Sequence, residues 1–219
     1  MKKKTLTIAI ALVLVVALAV GATYAYLTAT TDKVTNTFSA GKTIEEPDKN
    51  FLLKEHPVSY NEANGTYTVD KTATPVDSST YDKLAPKMTA EKDPFISFNG
   101  KQIETPSYLF VEVVDKTNGA IAWNVTDSWV KLEGVTGKNG GAVYVYSTDK
   151  AKGAVLQGTH EDIYILQGDK IEAASNFDTL ANADGANLTL SFYGYLCQAT
   201  GFDDAAAAFN QCFGTTTGE

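Results

Sequence analysis

The chain has 219 residues, a formal charge of −8 and no arginine among its basic residues. An acidic surface without guanidinium forks excludes nucleic acid and anionic lipid as natural partners, since both need a positive face. Aromatic residues make up 11% of the chain, with tyrosine the commonest, a composition that suits strands with one exposed face.

The first element is a secretory signal over residues 1–25. Lys2, Lys3 and Lys4 form a basic start, and Ile8 to Ala22 is an unbroken run of apolar and small residues. Thr23 and Ala25 place small residues two apart around Tyr24, so the spacing predicts cleavage after Ala25 and a mature chain beginning at Tyr26. The other reading is an uncleaved anchor, because Leu6 to Leu27 is long enough to span about 30 Å of bilayer. On both readings the chain is exported, and a membrane is met only through an uncleaved signal.

Residues 26–42 follow at once with a strand-like pattern. Thr28, Thr30, Thr31, Val34, Thr35 and Thr37 are β-branched and no proline interrupts them. Between Leu27 and Gly41, the residues Val34, Asn36 and Phe38 alternate onto one face. Two pairings fit such a segment: a first strand within its own domain, or a strand donated to the open edge of a neighbour.

A single domain is expected over 43–214. Its opening stretch, 43–91, is rich in Pro, Asp, Lys and Thr and reads as an irregular insertion carrying one hairpin at Asn64–Asp70. Asp93–Lys101 is a strand that ends in an Asn-Gly turn. "SYLFVEVVDKTNGAIAWNV" reads as two strands joined around Asn118-Gly119, and "SWVKLEGVTGKNGGAVYVYS" as a hairpin with Gly137–Gly141 as its loop. Glu161–Lys170 and Ala186–Ala199 complete the strands, the last with Leu188, Leu190, Phe192 and Leu196 on one face. Short alternating strands separated by turn signals describe a sandwich or barrel.

Gly201–Gly214 breaks the pattern. Asp203 is the expected cap of a short C-terminal helix, Gly214 its stop, and Ala205, Ala208, Phe209 and Cys212 its buried face. Residues 215–219 form a frayed tail. The two cysteines, Cys197 and Cys212, suit a disulfide in an exported chain, worth about 3 kcal/mol for a loop of that size. They equally suit two buried thiols, and spacing leaves both readings open.

Chemistry is sparse. His56 and His160 both stand in turn-like contexts, where a lone histidine is solvated rather than ligating. There is no His-Glu-x-x-His helix, no Gly-x-Ser-x-Gly elbow, and no cysteine with a histidine close in sequence. Glu45-Glu46 sits in a polar linker, and Asp203-Asp204 starts a helix, where anions favour the dipole. Trp123 and Trp129 read as packing residues before they read as a platform for sugars. The expectation is a non-enzyme with no catalytic residue, no metal ligand and no cofactor.

Three stretches carry a family resemblance. "GATYAYLTATTDKVTNTFSAGK" resembles the signal-and-start segment of the TasA and camelysin (CalY) family, whose exports are processed by the signal peptidase SipW. The matching residues are Gly21, Thr23, Tyr24 and Ala25 at the cleavage point, then Asn36, Thr37, Phe38, Ala40 and Gly41. "KDPFISFNG" followed by "SYLFVEVV", and the ending "YLCQATGFDDAAAAF", look like the same group. The chain departs from it at Lys42–Pro47, where an apolar strand is usual, at "LAPKM", where a Pro-Gly turn is common, and in having a cysteine pair. The resemblance implies a jelly-roll-like β-sandwich at the surface, or in the biofilm matrix, of a Gram-positive-type bacterium. There it implies a fibre subunit whose partners are copies of itself, joined head to tail by the N-terminal strand, and related matrix subunits. A signal peptidase acts on it during export. The alternatives are a surface module that binds glycans or proteins and a camelysin-type metalloendopeptidase, which the missing metal-ligand motif disfavours.

Overall fold

Fourteen residues, Gln102–Asp115, run as one strand, β6 in chain order, around which the other elements are arranged. The computed structural model describes residues 43–147, 153–183 and 188–214. The signal-cleavage residues Thr23, Tyr24, Ala25 and Tyr26 lie outside them, as do Leu27, Val34, Asn36, Phe38 and Gly41 of the N-terminal segment. Ahead of β6 come a short helix, α1 (Pro47–Asn50), and strands β1 (Leu52–Lys54), β2 (Val58–Asn61), β3 (Thr66–Val69), β4 (Thr89–Glu91) and β5 (Phe95–Ser97). After it come β7 (Ile121–Ala122), β8 (Trp129–Thr136), β9 (Ala142–Tyr146), β10 (Val155–Thr159), β11 (Ile163–Tyr164), β12 (Lys170–Ala173), α2 (Phe177–Ala181), β13 (Leu190–Gln198) and α3 (Ala205–Phe213).

The strands form an all-β sandwich. In one of two five-stranded sheets β6 is central: β13 pairs along one side, β10 and β9 share the other, and β8 lies beyond β9. A three-stranded sheet runs β1-β5-β11, and the other five-stranded one runs β2-β3-β4-β12-β7. Because successive side chains of a strand point to opposite faces, β6 feeds two cores. Leu109 and Val111 meet Ile96, Phe98 and Ile165 on one face. Tyr108 and Phe110 meet Val143, Val145 and Phe209 of α3 on the other. That double coverage explains why Ser107 to Val113 are all buried and mostly apolar rather than alternating. A third cluster, around Tyr67, Ile121, Leu166 and Ile171, fills the five-stranded sheet. Among the described residues no helix is long and apolar enough to cross a membrane.

Three expectations are corrected. The stretch 43–91 is no irregular insertion: β1 joins the three-stranded sheet, and β2, β3 and β4 make most of another. Its strands are half-exposed and correspondingly polar, with Tyr67 and Ala90 the buried exceptions, which disguised them. The turn at Asn118-Gly119 is present, with φ of 52° and 77°, but it does not make a hairpin. Both sides of β6 are already taken by β13 and β9, so β7 pairs with β12 instead. The cap of α3 is Asp204, not Asp203: Asp204 has the extended backbone that precedes a first helical residue, and its Oδ1 accepts from Ala207 N at 2.8 Å.

The hairpin loop Gly137–Gly141 is held by a carboxylate from β6. Glu112 is fully buried. Its Oε1 accepts from the backbone of Asn139 and Gly141, each at 2.8 Å, and its Oε2 from Tyr195 Oη at 2.7 Å and Asn139 Nδ2 at 3.0 Å. Burial alone would raise the Glu112 carboxyl, but the bonds from Tyr195, Gly141 and Asn139 outweigh it and hold it below the ordinary value. A side chain at Gly137 would collide with it, since a Cβ there falls 2.1 Å from Glu112 Cδ.

Candidate strand-docking flank

All nine residues of β13 pair with β6, from Leu190 opposite Asp115 to Gln198 opposite Ser107, and among the described residues no strand pairs with the other side. β1 is likewise the last strand of its sheet, and it lies beside β13. The two layers therefore end together: among the described residues β13 pairs only with β6 and β1 only with β5, and just beyond β1 Glu55 exchanges backbone hydrogen bonds with Val76. Gly194 lets them approach: a Cβ there would stand 3.3 Å from the Phe51 ring.

The side chains along this flank point inward without being covered. Phe51 and Leu53 on one side, and Phe192 and Leu196 on the other, pack against the main core yet are only half-buried. In a strand of a closed sandwich such positions are dry, so a row of half-wet inward residues marks a place for one more strand. Tyr193, facing the opposite way, is 41% exposed.

One end of the flank is polar. Glu55, just after β1, and Lys92, just after β4, form an ion pair in which both side chains are more than nine-tenths buried. The Lys92 ammonium also lies 5.6 Å above the Tyr81 ring and 5.8 Å above that of Phe192. Burial, with the carboxylates of Glu55 and Asp93 nearby, pushes the Tyr81 phenol upward. A second pair runs alongside, with His56 Nδ1 2.7 Å from Asp93 Oδ2 and His56 N donating to Oδ1 at 3.0 Å. Two polar atoms remain without partners, the Glu55 Oε1 acceptor and the Ser79 hydroxyl.

The residues singled out in the sequence distribute as follows. Cys197 and Cys212 are joined in a disulfide with Cα atoms 6.6 Å apart, which ties α3 to β13 on the face away from the groove. His56 is not solvated but buried against Asp93 and Phe95. His160 is half-buried beside Phe98, and its Nε2 has no partner. Trp129 is in the core, with its Nε1 donating to Tyr164 O at 3.0 Å. Trp123 is half-buried, donates to Asp115 Oδ2 at 2.8 Å, and walls a cleft with Asn124, Gln167 and Lys170. Among the described residues no group of three or more His, Cys, Asp or Glu side chains is placed to hold a metal ion. Sequence reading missed Glu55, Ser79 and Lys92. The only hint was that "KEH" and "EKDPF" put charges directly against apolar strands.

Comparison with protein-family models, with curated proteins and with solved structures returns no match.

Proposed function

We propose that this protein is an exported structural subunit of a cell-surface or biofilm-matrix fibre, assembling head to tail by donation of its N-terminal segment. The observation that carries the reading is the uncovered flank between β13 and β1, with Phe51, Leu53, Phe192 and Leu196 turned inward and half-wet. The segment Tyr26–Gly41 is long enough to pair along all nine residues of β13 and has the β-branched composition of a strand. A donated strand would contribute ladder hydrogen bonds of about 0.5–1.5 kcal/mol each. Val34 and Phe38 would add about 1.5–3 kcal/mol each if fully buried. A contact between two different surfaces of the same chain gives filaments wherever its rotation does not close a ring. Related matrix subunits with the same start segment would enter the same groove.

Electron microscopy and sedimentation of the mature chain test this. Filaments are expected, and Val34→Asp with Phe38→Asp should abolish them while the circular-dichroism spectrum stays β-like. A mature chain that remains monomeric at high concentration and at every pH tried would overturn the reading. The second reading, a surface binding module, draws on the Trp123 cleft, whose indole wall and neighbouring amides suit a sugar ring. Glycan-array binding by a monomer would favour it.

A further inference from the structure

The polar end of the flank does more than interrupt an apolar groove. Glu55, Ser79 and Lys92 line, together with Leu190 to Tyr193 of β13, a cavity of about 220 Å³. Lys92 engages only one oxygen of Glu55, so Oε1 stays an unpaired anionic acceptor inside the protein, with the unpaired Ser79 hydroxyl on the same cavity. Unpaired buried polar atoms are costly, and the cost disappears when a matching group arrives. The matching chemistry is narrow. A carboxamide has the chemistry both atoms call for, an N–H that can donate to Glu55 Oε1 and a carbonyl that can accept from Ser79 O–H. A carboxylate is repelled by Glu55, and an aliphatic group leaves both atoms unpaired.

The N-terminal segment carries one such group on the right face. Val34, Asn36 and Phe38 alternate, so a strand that turns Val34 and Phe38 inward turns Asn36 inward between them. A buried asparagine needs a partner. We propose that Asn36 of a neighbouring copy enters the polar end of the groove, hydrogen-bonds Glu55 Oε1 and Ser79 Oγ, and so fixes the register of the donated strand. This rests on the strand-donation reading and adds its selectivity. A slip of two residues would set Val34 or Phe38 against Glu55 and drive Asn36 onto the apolar wall, so one register is favoured over its neighbours.

The test uses the full mature chain and reads the critical concentration for assembly by sedimentation. Asn36→Leu and Asn36→Asp should each raise it by about tenfold or more, as loss of a buried bond to a charged group implies. Thermal melting of the unassembled chain should not change. As a positional check, chains carrying Asn36→Cys mixed with chains carrying Ser79→Cys should give a disulfide-linked dimer on mild oxidation. If Val34→Asp with Phe38→Asp blocks assembly but both Asn36 variants assemble like wild type, the polar subsite is wrong and strand donation stands. If a chain carrying both cysteines closes the bond within itself and yields no dimer, the segment is a strand of its own domain and both readings fall.

Discussion

Glu112 shows how much one side chain can hold. It sits within β6, flanked by Val111 and Val113, and accepts four hydrogen bonds, three of which pin the β8–β9 loop while the fourth comes from Tyr195 of β13. Its folded carboxyl is held below the ordinary value, so its contribution is fully present above that value, 4.5, and drains away as pH falls through the lower, folded one. Glu112→Gln should cost about 1.5–3 kcal/mol at pH 7, because two backbone donors lose their anionic partner. Between pH 7 and pH 3 the wild-type melting temperature should then fall more steeply than that of the variant. Parallel melting curves would show that the carboxylate carries no such linkage. The sequence held one clue, a single acid within an otherwise apolar run. It could not reveal Tyr195 and Asn139, which reach Glu112 from distant parts of the chain.

At the scale of elements, α3 is tied to the main sheet by both packing and a covalent bond. Phe209 is fully buried between Phe110, Tyr195 and Phe213. Phe209→Ala should cost about 3–5 kcal/mol, read from denaturant unfolding. Breaking the Cys197–Cys212 bond with Cys212→Ser should cost about 2–4 kcal/mol. Unreduced, denatured protein should offer no thiol to alkylation, and two alkylated cysteines would refute the bond. The helix was legible because its signals are local: an aspartate start, four alanines and a glycine stop. The cap slipped by one residue because Asp203 and Asp204 are chemically alike and only backbone geometry separates them. The presumed hairpin after β6 failed for a non-local reason, since pairing depends on which strands already occupy both sides.

For the whole molecule, the decisive test is removal of residues 26–41. The described strands carry their own three cores, so the shortened chain should fold to a β-rich monomer and fail to form filaments. If it unfolds, the segment belongs inside its own sandwich. The sandwich itself was legible from the turn signals and apolar patterning of Asp93–Lys101, Ser107–Val125 and Ser128–Ser147, alternating in the last and continuously apolar in the buried stretch of β6. The sheets built from 43–91 were not, because half-exposed strands need few apolar residues. The polar end of the flank was out of reach for a related reason. Its pairs, Glu55 with Lys92 and His56 with Asp93, join residues 37 apart in sequence, and nothing local marks either partner.

The groove is bounded by β1, the earliest strand described, and β13, the latest. On the strand-donation reading proposed above, a chain exported N-terminus first would display the segment it donates long before its own receiving edge exists. A finished neighbour would then meet that segment first, and order in time would favour joining two molecules over closing one. A chain cut short before Leu190 would still be able to donate yet could receive nothing. It would therefore terminate a growing fibre rather than merely fail to join it, and a small fraction of such fragments should shorten filaments out of proportion to their number.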